Sequence, residues 1–362
     1  MLDLGRSSVS LSSLIRMYLR TIATATPSHA YSQSDCWQIL QKSQSFHSLT
    51  QRSQGIVEKI LMNDNGIDRR HFAMQDVEGI FDLDAQTLNE GFEEHGQLLV
   101  ESAVREACEN AEIAIGDLDG LIVATCTGYV CPGLSSFAAE RLGMRSDVYL
   151  NDMVGLGCGA ALPSLRAGSH FLAAHPEAKV AVVQVEVCSA AFYMDDDIGV
   201  LVSMCLFGDG CAASIWSGEQ LGENDWKLAG FQSVHQPEGR DLLRFVNDSG
   251  KLKNKLHRSV PEVAGKAVKG LHERMLDTFQ TPPEALAVHP GGRDVIDAIH
   301  GQLPEFDYGY SRDVLRKHGN MSSPSVVYVL KNMLSNGASD KHSIDLTAFG
   351  AGFTGHMARL SR

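Results

Sequence analysis

The stretch GCGAALPSLRAGSHFLAAHPEAKVAVVQVEV, residues 157–187, decides the fold because a helical pattern runs directly into a buried strand. Residues 157–175 carry small and apolar side chains at helical spacing, and Pro163 requires a place in the first turns of that helix. Residues 179–187, KVAVVQVEV, form an apolar run typical of a fully buried strand. A helix that leads into a buried strand predicts an α/β fold.

The flanking segments continue the alternation of helices and strands. Helical patterns cover residues 97–111 and 135–143, and strand patterns cover 118–128 and 147–152. A first strand is expected near 18–23. The repeated change between the two patterns strengthens the α/β prediction.

The second half of the chain repeats this order at a constant offset of 162 residues. The corresponding segments are a helix at 260–279, a strand at 284–292, a segment at 311–334 that ends in a helix, and a strand at 343–353. A chance match of patterns within an α/β protein is the alternative. The 362 residues are about 2.4 times a typical domain, which favours duplication. We expect halves at 1–217 and 218–362, with 217–258 as an insertion.

Composition and charge exclude several classes of function. The chain has 44% hydrophobic residues, 21% charged residues and a net charge of −13, which argues against nucleic acid or an anionic membrane as the main partner. No apolar run is long enough for a membrane span. Residues 8–30 loosely resemble a signal peptide, but Arg16 and Arg20 interrupt their apolar part. The eight cysteines form no zinc-type pattern, so we expect no metal site and a reducing, cytoplasmic location.

Three residues meet if the two halves face each other. Cys158 and Asn320 take equivalent places, each at the start of a helix, and His289 follows a strand. A cysteine at a helix N-terminus beside a protonated histidine is activated as a thiolate nucleophile, and His and Asn together can donate to a developing oxyanion. Each residue also has an ordinary structural alternative. For Cys158 it is a buried core thiol, for His289 a turn residue before Pro-Gly-Gly, and for Asn320 a helix cap.

Several motifs carry a resemblance to a known family. They are LGCGAA (156–161), LFGDG (206–210), HPGG (289–292), GNMSS (319–323) and FGAGFT (349–354), with TATP (24–27) and GIDRRHF (66–72) nearer the N-terminus. Together they resemble the type III polyketide synthases, the chalcone and stilbene synthase-like family, with a pattern closer to bacterial members. The similarity extends from Tyr18 to the C-terminus. HPGG paired with GNMSS is specific to this family, whereas LFGDG is shared with the 3-oxoacyl-ACP synthase III enzymes.

The resemblance implies an α/β thiolase-like fold, a duplicated αβαβα five-layer arrangement that works as a homodimer. It implies a catalytic triad of Cys158, His289 and Asn320. Family members load an acyl group from an acyl-CoA starter onto the cysteine, condense it with decarboxylated malonyl-CoA, repeat the extension and cyclise the product. The resemblance implies no metal and no cofactor beyond these coenzyme A thioester substrates.

The resemblance also implies a set of substrate-contacting residues. Phe192 falls where the family has a gatekeeper phenylalanine between the CoA tunnel and the cavity. The second gatekeeper phenylalanine of the plant members is missing, and Asn254 stands in its place. Cys126, Cys188 and Ala191 replace the threonines that line the plant cavities, and Gly291 and Gly292 of HPGG are expected at the substrate. This weakly polar lining favours a medium or long fatty acyl starter, by roughly 0.8 kcal/mol per buried CH₂, and an alkylpyrone or alkylresorcinol product.

The residues that bind the CoA phosphates are not identified by the resemblance. Val57, Ile60 and Asp64 stand where plant enzymes carry basic residues. Other cations near these positions are Lys59, Arg52, Arg69 and Arg70, and ordinary surface charge is the alternative for each.

Two alternative functions stay open at this point. One is a 3-oxoacyl-ACP synthase III-like enzyme that extends once from acyl carrier protein, although Gly157-Cys158-Gly159 and HPGG differ from that family's usual sequences. The other is a catalytically inactive thiolase-fold partner subunit. The complete triad argues against this alternative.

Overall fold

The computed structural model describes residues 16–74, 77–338 and 340–362. In chain order their principal elements are β1 Tyr18–Ala25, β2 Ala30–Ser32, α1 Gln33–Leu40, α2 Gln44–His47, α3 Gln51–Met62, β3 Arg69–His71, α4 Ala85–Asn110, β4 Gly120–Thr125, α5 Leu134–Leu142, β5 Tyr149–Val154, α6 Ala161–Ala174, β6 Lys179–Glu186, α7 Ile198–Leu206, β7 Gly210–Ser217, β8 Lys227–His235, β9 Leu243–Asp248, β10 Lys251–Leu256, α8 Val260–Phe279, β11 Ala285–Val288, α9 Arg293–Gln302, α10 Gly309–His318, α11 Ser325–Asn336, β12 Ser343–Gly350 and β13 Thr354–Ser361.

The central sheet consists of two parts that meet at β1 and β8. Within the described ranges, nine strands hydrogen-bond in the order β11-β12-β13-β8-β1-β7-β6-β4-β5. β1 and β8 pair only at one end, where Tyr18 lies opposite Lys227. β4 runs parallel to β5 and β6, and β11 runs parallel to β12, so helices must carry the chain between them. The remaining pairs in this sheet are antiparallel.

Alternation along the strands divides the interior into three cores. In β6, Ala181 and Val183 pack in the core beneath α4, whereas Val180 and Val182 pack in the core that contains α6 and α11. A third core joins α8 and α9 to the far side of β11 and β12. Helices α6 and α11 therefore lie between the two parts of the sheet, and α4 and α8 cover its outer faces. This five-layer αβαβα order confirms the predicted thiolase-like α/β fold.

The repeat predicted from the sequence is present in the structure. Strand β6 and strand β12, and helix α6 and helix α11, are equivalent at the predicted offset. The expectation that 217–258 is wholly an insertion is wrong, because β8 lies in this segment and is the counterpart of β1 at the junction of the sheet. Only the hairpin of β9 and β10 lies outside the main sheet. The proposed division at 217/218 falls directly after β7.

Several boundaries differ from those predicted. The helix expected at 97–111 begins earlier, at Ala85, because the carboxylate of Asp84 accepts from the Thr87 backbone N–H (2.8 Å) and caps it. The segment 311–334 forms two helices, which are separated by a turn that contains Asn320. Pro163 lies in the first turn of α6, as its tolerance requires.

The structure describes only part of the N-terminal region for which the sequence made predictions. The first strand is confirmed at Tyr18–Ala25. Residues 8–15 of the signal-like stretch lie outside the described residues. In the part of the chain that the structure describes, no helix combines the length and apolarity needed to cross a membrane.

Candidate active site

Cys158 lies in a tight turn that precedes the middle-layer helix α6. The turn, Gly157–Gly159, is a short 3₁₀ segment in which Gly157 has a φ of +60°. The FGAGFT segment packs directly against it: a Cβ on Gly350 would lie 2.5 Å from the Leu156 carbonyl oxygen and 2.6 Å from the Gly159 nitrogen. Glycine at position 350 is therefore required for this close approach.

Asn320 is fixed by hydrogen bonds on both atoms of its amide. Its Nδ2 donates to the carbonyl oxygen of Gly291 (3.1 Å), and its Oδ1 accepts from the backbone N–H of Ser322 (2.8 Å). An amide nitrogen carries two hydrogens, so the second Nδ2–H remains for a ligand. The backbone of Asn320 bridges to Phe207, which joins this turn to the LFGDG segment of the other half.

His289 follows β11 and is completely buried. Its ring packs edge-on against Phe349, with centroids 5.3 Å apart. Both ring nitrogens are buried, and neither has a hydrogen-bond partner among the described residues. Since buried polar atoms are normally paired, this histidine is poised to bind a ligand.

Burial acts against the thiolate and imidazolium expected from the sequence. Burial raises the pKa of the Cys158 thiol to about 12, although a hydrogen bond with Ser322 opposes this effect. Burial lowers the pKa of His289 to about 3. Burial therefore favours the thiol over the thiolate of Cys158, and the neutral imidazole over the imidazolium of His289. A neutral imidazole can still accept the thiol proton as a general base.

Two cavities meet at Cys158. The outer cavity contains His289, Asn320, Gly291 and Gly292 at its buried end. The inner cavity lies on the other side of the nucleophile and is lined by the sequence-predicted residues Cys126, Cys188, Ala191 and Phe192, together with Asn254. The structure thus brings the three predicted triad residues, with Gly291 and Gly292, to one cavity and the other predicted pocket residues to the next.

The predicted gatekeeper position is corrected by this arrangement. Phe192 lines the inner cavity but does not border the outer one, and it packs between Phe72 and Phe81. Phe207, with Leu243 and Cys158, borders both cavities. Phe207 therefore lies at the passage between them. Phe207 belongs to the LFGDG motif (206–210), whose sequence indicates the family but not which spaces its side chains separate.

A buried carboxylate beside the nucleophile was also missed. Glu186 ends β6 and is completely buried. Its oxygens accept from the Thr127 hydroxyl (2.9 Å), the Cys126 backbone N–H (2.9 Å) and the Ser323 hydroxyl (2.6 Å). Burial raises the pKa of Glu186. The signal in the sequence was an acidic residue within an otherwise apolar strand, which requires a dense set of donors.

Ser322 connects the two halves at the site. Its hydroxyl lies 3.3 Å from the sulfur of Cys126 and also hydrogen-bonds Cys158. Ser322 has a φ of +59°, a left-handed conformation that is uncommon for a residue other than glycine. Strained conformations of this kind concentrate at functional sites.

Comparison with known proteins decides the family. Residues 16–276 match the family model described as FAE1/type III polyketide synthase-like protein. The chain belongs to this family. Residues 229–356 also match the C-terminal domain of the chalcone and stilbene synthases. This type III polyketide synthase is thus an acyltransferase-type enzyme.

Three bacterial relatives of the polyketide synthase each cover more than nine-tenths of this chain. A 1,3,6,8-tetrahydroxynaphthalene synthase of Streptomyces peucetius subsp. caesius is 28% identical over 94% of this chain and 91% of its own length. A 3,5-dihydroxyphenylacetyl-CoA synthase of Amycolatopsis balhimycina is 28% identical over 94% and 91%. An alpha-pyrone synthesis polyketide synthase-like protein of Mycobacterium tuberculosis is 27% identical over 91% and 87%.

Solved structures support the fold. PKS-I from the brown alga Ectocarpus siliculosus superposes with a TM-score of 0.88 at 21% identity, covering 96% of this chain and 98% of that one. The 1,3,6,8-tetrahydroxynaphthalene synthase of Streptomyces coelicolor gives a TM-score of 0.83 at 24% identity, covering 95% and 99%.

Proposed function

We propose that this polyketide synthase condenses malonyl-CoA with a fatty acyl-CoA starter, extends the chain repeatedly and cyclises it to an alkylpyrone or alkylresorcinol-type product. The observation that carries this proposal is the position of Cys158 between an outer cavity with His289 and Asn320 and an inner cavity of mostly apolar lining. The outer cavity suits the CoA thioester, and the inner cavity suits the growing chain.

Loading begins with the thiol of Cys158. Neutral His289 takes the thiol proton as the sulfur attacks the starter carbonyl, and the thiolate of CoA leaves with that proton. The acyl group is then held as a thioester on Cys158, and its alkyl chain extends into the inner cavity. This step uses one ring nitrogen of His289 as the proton acceptor, and neither ring nitrogen has a protein partner in the described residues.

Condensation follows when malonyl-CoA occupies the outer cavity. Its carboxylate leaves as CO₂, and the electron pair forms an enolate whose thioester oxygen accepts hydrogen bonds from His289 and from the free Nδ2–H of Asn320. The enolate carbon attacks the acyl carbonyl, so that a C–C bond forms and the C–S bond to Cys158 breaks. The proposed chemistry requires neither a metal nor a redox cofactor.

The space beyond the inner cavity supports a long alkyl chain. Phe192 and Met204 form a wall shared with a further cavity beneath α1 and α3. The other side chains around that space are apolar except for Arg70, whose guanidinium is engaged by Gln33 and by backbone carbonyls. Movement of the Phe192 ring would connect the two spaces and extend the room for methylene groups.

A compact aromatic product is the second candidate. Relatives include enzymes named for 1,3,6,8-tetrahydroxynaphthalene and 3,5-dihydroxyphenylacetyl-CoA. The bulky side chains of Phe192, Phe245 and Met204 in the inner cavity favour this candidate, because they restrict a chain that cannot pass them.

A panel of starters separates the candidates. We expect kcat/KM to be higher for dodecanoyl-CoA and hexanoyl-CoA than for 4-coumaroyl-CoA, with malonyl-CoA consumed in the absence of acyl carrier protein. Products would be identified by mass spectrometry. A preference for 4-coumaroyl-CoA, or an aromatic product from malonyl-CoA alone, would overturn the fatty acyl proposal. Dependence on carrier protein would favour the 3-oxoacyl-ACP synthase III-like alternative.

We further propose that the enzyme is a cytoplasmic homodimer. β5 ends the central sheet, and its edge exposes Tyr149, Leu150 and Val154 beside the highly exposed Tyr129. An exposed apolar strand edge invites pairing with a second copy. Light scattering is expected to give a dimer for the parent chain and a monomer for Leu150→Lys. The eight free cysteines suit a reducing compartment.

A further inference from the structure

Arg70 is a buried cation whose hydrogen-bond acceptors, within the described residues, are all neutral. It belongs to β3 in the GIDRRHF motif and is 3% exposed. Its Nε donates to the side-chain oxygen of Gln33 (3.0 Å), and its Nη1 donates to the carbonyl oxygens of Met204 (2.6 Å) and Phe207 (2.9 Å). A charge in the protein interior is costly unless its surroundings compensate it, and these acceptors include no carboxylate.

Two of the acceptors lie at the C-terminal end of α7. Met204 is in the last turn of this helix, and Phe207 directly follows its last residue, Leu206. The last carbonyl groups of a helix lack partners within the helix and carry the negative end of its dipole. α7 has no basic residue of its own in its last turn, and the guanidinium of Arg70 caps this end. The helix end thus supplies the negative potential that compensates the buried charge.

Two boundaries of the cavities depend on this end of α7. Met204 belongs to the wall between the inner cavity and the cavity beneath α1 and α3, and Phe207 lies at the passage to the outer cavity. Arg70 itself lines the cavity beneath α1 and α3 but not the outer cavity, so it is not available to the phosphates of CoA. Through backbone carbonyls, its guanidinium group therefore holds both boundaries.

Asn320 is attached to the same end of α7. Its backbone N–H donates to the carbonyl oxygen of Leu206 (2.9 Å), and its carbonyl oxygen accepts from the N–H of Gly208 (3.0 Å). The side chain of Arg70 also packs against the residue before Asn320. A Cβ on Gly319 would lie 2.8 Å from the Cγ of Arg70 and 2.7 Å from the Leu206 carbonyl oxygen. Arg70 therefore touches the turn that holds Asn320 and fixes the helix end to which this turn is bonded.

We propose that Arg70 is a positioning residue for condensation, which sets the direction of the free Nδ2–H of Asn320 and the place of the Phe207 ring. This inference rests on the proposed function, in which Asn320 donates to the enolate oxygen. Arg70 does not line the outer cavity, so it acts through these two residues and not on the substrate. A displaced donor stabilises a developing oxyanion less well. Cys158 is positioned by packing against Gly350 and is expected to be less sensitive to Arg70.

Decarboxylation of malonyl-CoA isolates this role when Cys158→Ala prevents condensation. In the full-length protein with that change, Arg70→Met is expected to lower kcat by about 10- to 100-fold and to alter KM by less than about threefold, because the donor is displaced while the outer cavity keeps its lining. Arg70→Lys keeps the charge but not the planar set of donors, and its kcat is expected to lie between the two. Arg274→Met is the matched control. Arg274 also donates to a backbone carbonyl, that of Ser233 (3.2 Å), but it is exposed on α8 and lines none of these cavities, so kcat should not change.

Alkylation of Cys158 separates positioning from a general loss of structure. In Arg70→Met with Cys158 present, the rate of alkylation by iodoacetamide is expected to stay within about twofold of the parental rate. An unchanged kcat for decarboxylation, or equal losses of decarboxylation and alkylation, would overturn the inference. If Arg70→Met does not fold, Arg70→Lys carries both measurements, with an expected loss in kcat of about three- to tenfold. A parental rate of decarboxylation in Asn320→Ala would overturn the proposed function together with this inference, whereas a loss in Asn320→Ala without a loss in Arg70→Met overturns the inference alone.

Discussion

The turns before the two middle-layer helices occupy equivalent places in the repeat, yet they are held in opposite ways. Cys158, before α6, is positioned by backbone packing against Gly350 and keeps a side chain free to react. Asn320, before α11, is locked by hydrogen bonds to Gly291 and Ser322 and keeps only one N–H for a ligand. The repeat thus places two residues at matching positions. Their side chains and hydrogen bonds give them different roles: Cys158 is the nucleophile, and Asn320 is a fixed hydrogen-bond donor.

The largest expected effect comes from removing the nucleophile. Cys158→Ala should abolish polyketide formation, because among the described residues Cys158 alone brings a thiol to both cavities. Decarboxylation of malonyl-CoA should persist, since His289 and Asn320 remain. Liquid chromatography with mass spectrometry of the products checks this outcome. Cys188→Ala, which alters another cavity thiol, serves as the control and should retain condensation. Full-length product from Cys158→Ala would refute the division of roles.

Removing the fixed donor should have the next largest effect. Asn320→Ala is expected to lower the rates of decarboxylation and extension by about 10²–10³, the usual cost of one oxyanion donor. Alkylation of Cys158 by iodoacetamide should stay near the parental rate, because Asn320 does not act on the thiol. His289→Ala should slow both processes. Equal alkylation rates in the parent and both variants would contradict the separate role of His289.

Gly350→Ala disturbs the packing that positions the nucleophile. Its Cβ would meet the backbone of the Cys158 turn at 2.5–2.6 Å, so we expect destabilisation of about 1–3 kcal/mol together with a lower kcat. Urea unfolding followed by circular dichroism measures the stability. Gly116→Ala places its Cβ in open space and should change stability by less than about 0.5 kcal/mol. The same small change in both variants would show that the close approach is unimportant.

The pH dependence of Cys158 alkylation sharpens the comparison without changing any side chain. Since burial raises the pKa of this thiol to about 12, its thiolate fraction at neutral pH is small and increases with pH. The rate of alkylation by iodoacetamide should therefore rise about tenfold per pH unit from pH 7 to 9. A plateau near pH 7 would instead indicate a resting thiolate beside a protonated His289. It would restore the expectation drawn from the sequence.

The sequence predicted the layers and the repeat because burial patterns are local. Apolar runs identified β4, β6 and β12, and one offset related Cys158 to Asn320. β8 was missed because an antiparallel strand at the junction of the sheet does not follow that offset. Its role depends on pairing with β13 and β1, which lie far away in the chain.

The sequence was less informative about the surroundings of the triad. Phe207 could not be placed at the passage between the cavities from its motif alone, because its role follows from which spaces it separates. The donors around Glu186 come from two segments that are far apart in the chain, residues 125–127 and Ser323. The pKa values of Cys158 and His289 depend on burial, and this burial arises only when the two halves of the chain pack around the site.

Mapping the acyl-enzyme tests the central claim most directly. The full-length protein is incubated with dodecanoyl-CoA, quenched in acid, and examined by intact-mass and peptide mass spectrometry. The account predicts one dodecanoyl group per chain, located on the peptide that contains Cys158 and absent from Cys158→Ala. Acylation of Cys126 or Cys188, or persistence of the adduct in Cys158→Ala, would contradict the assignment of Cys158 as the acyl carrier between the two halves.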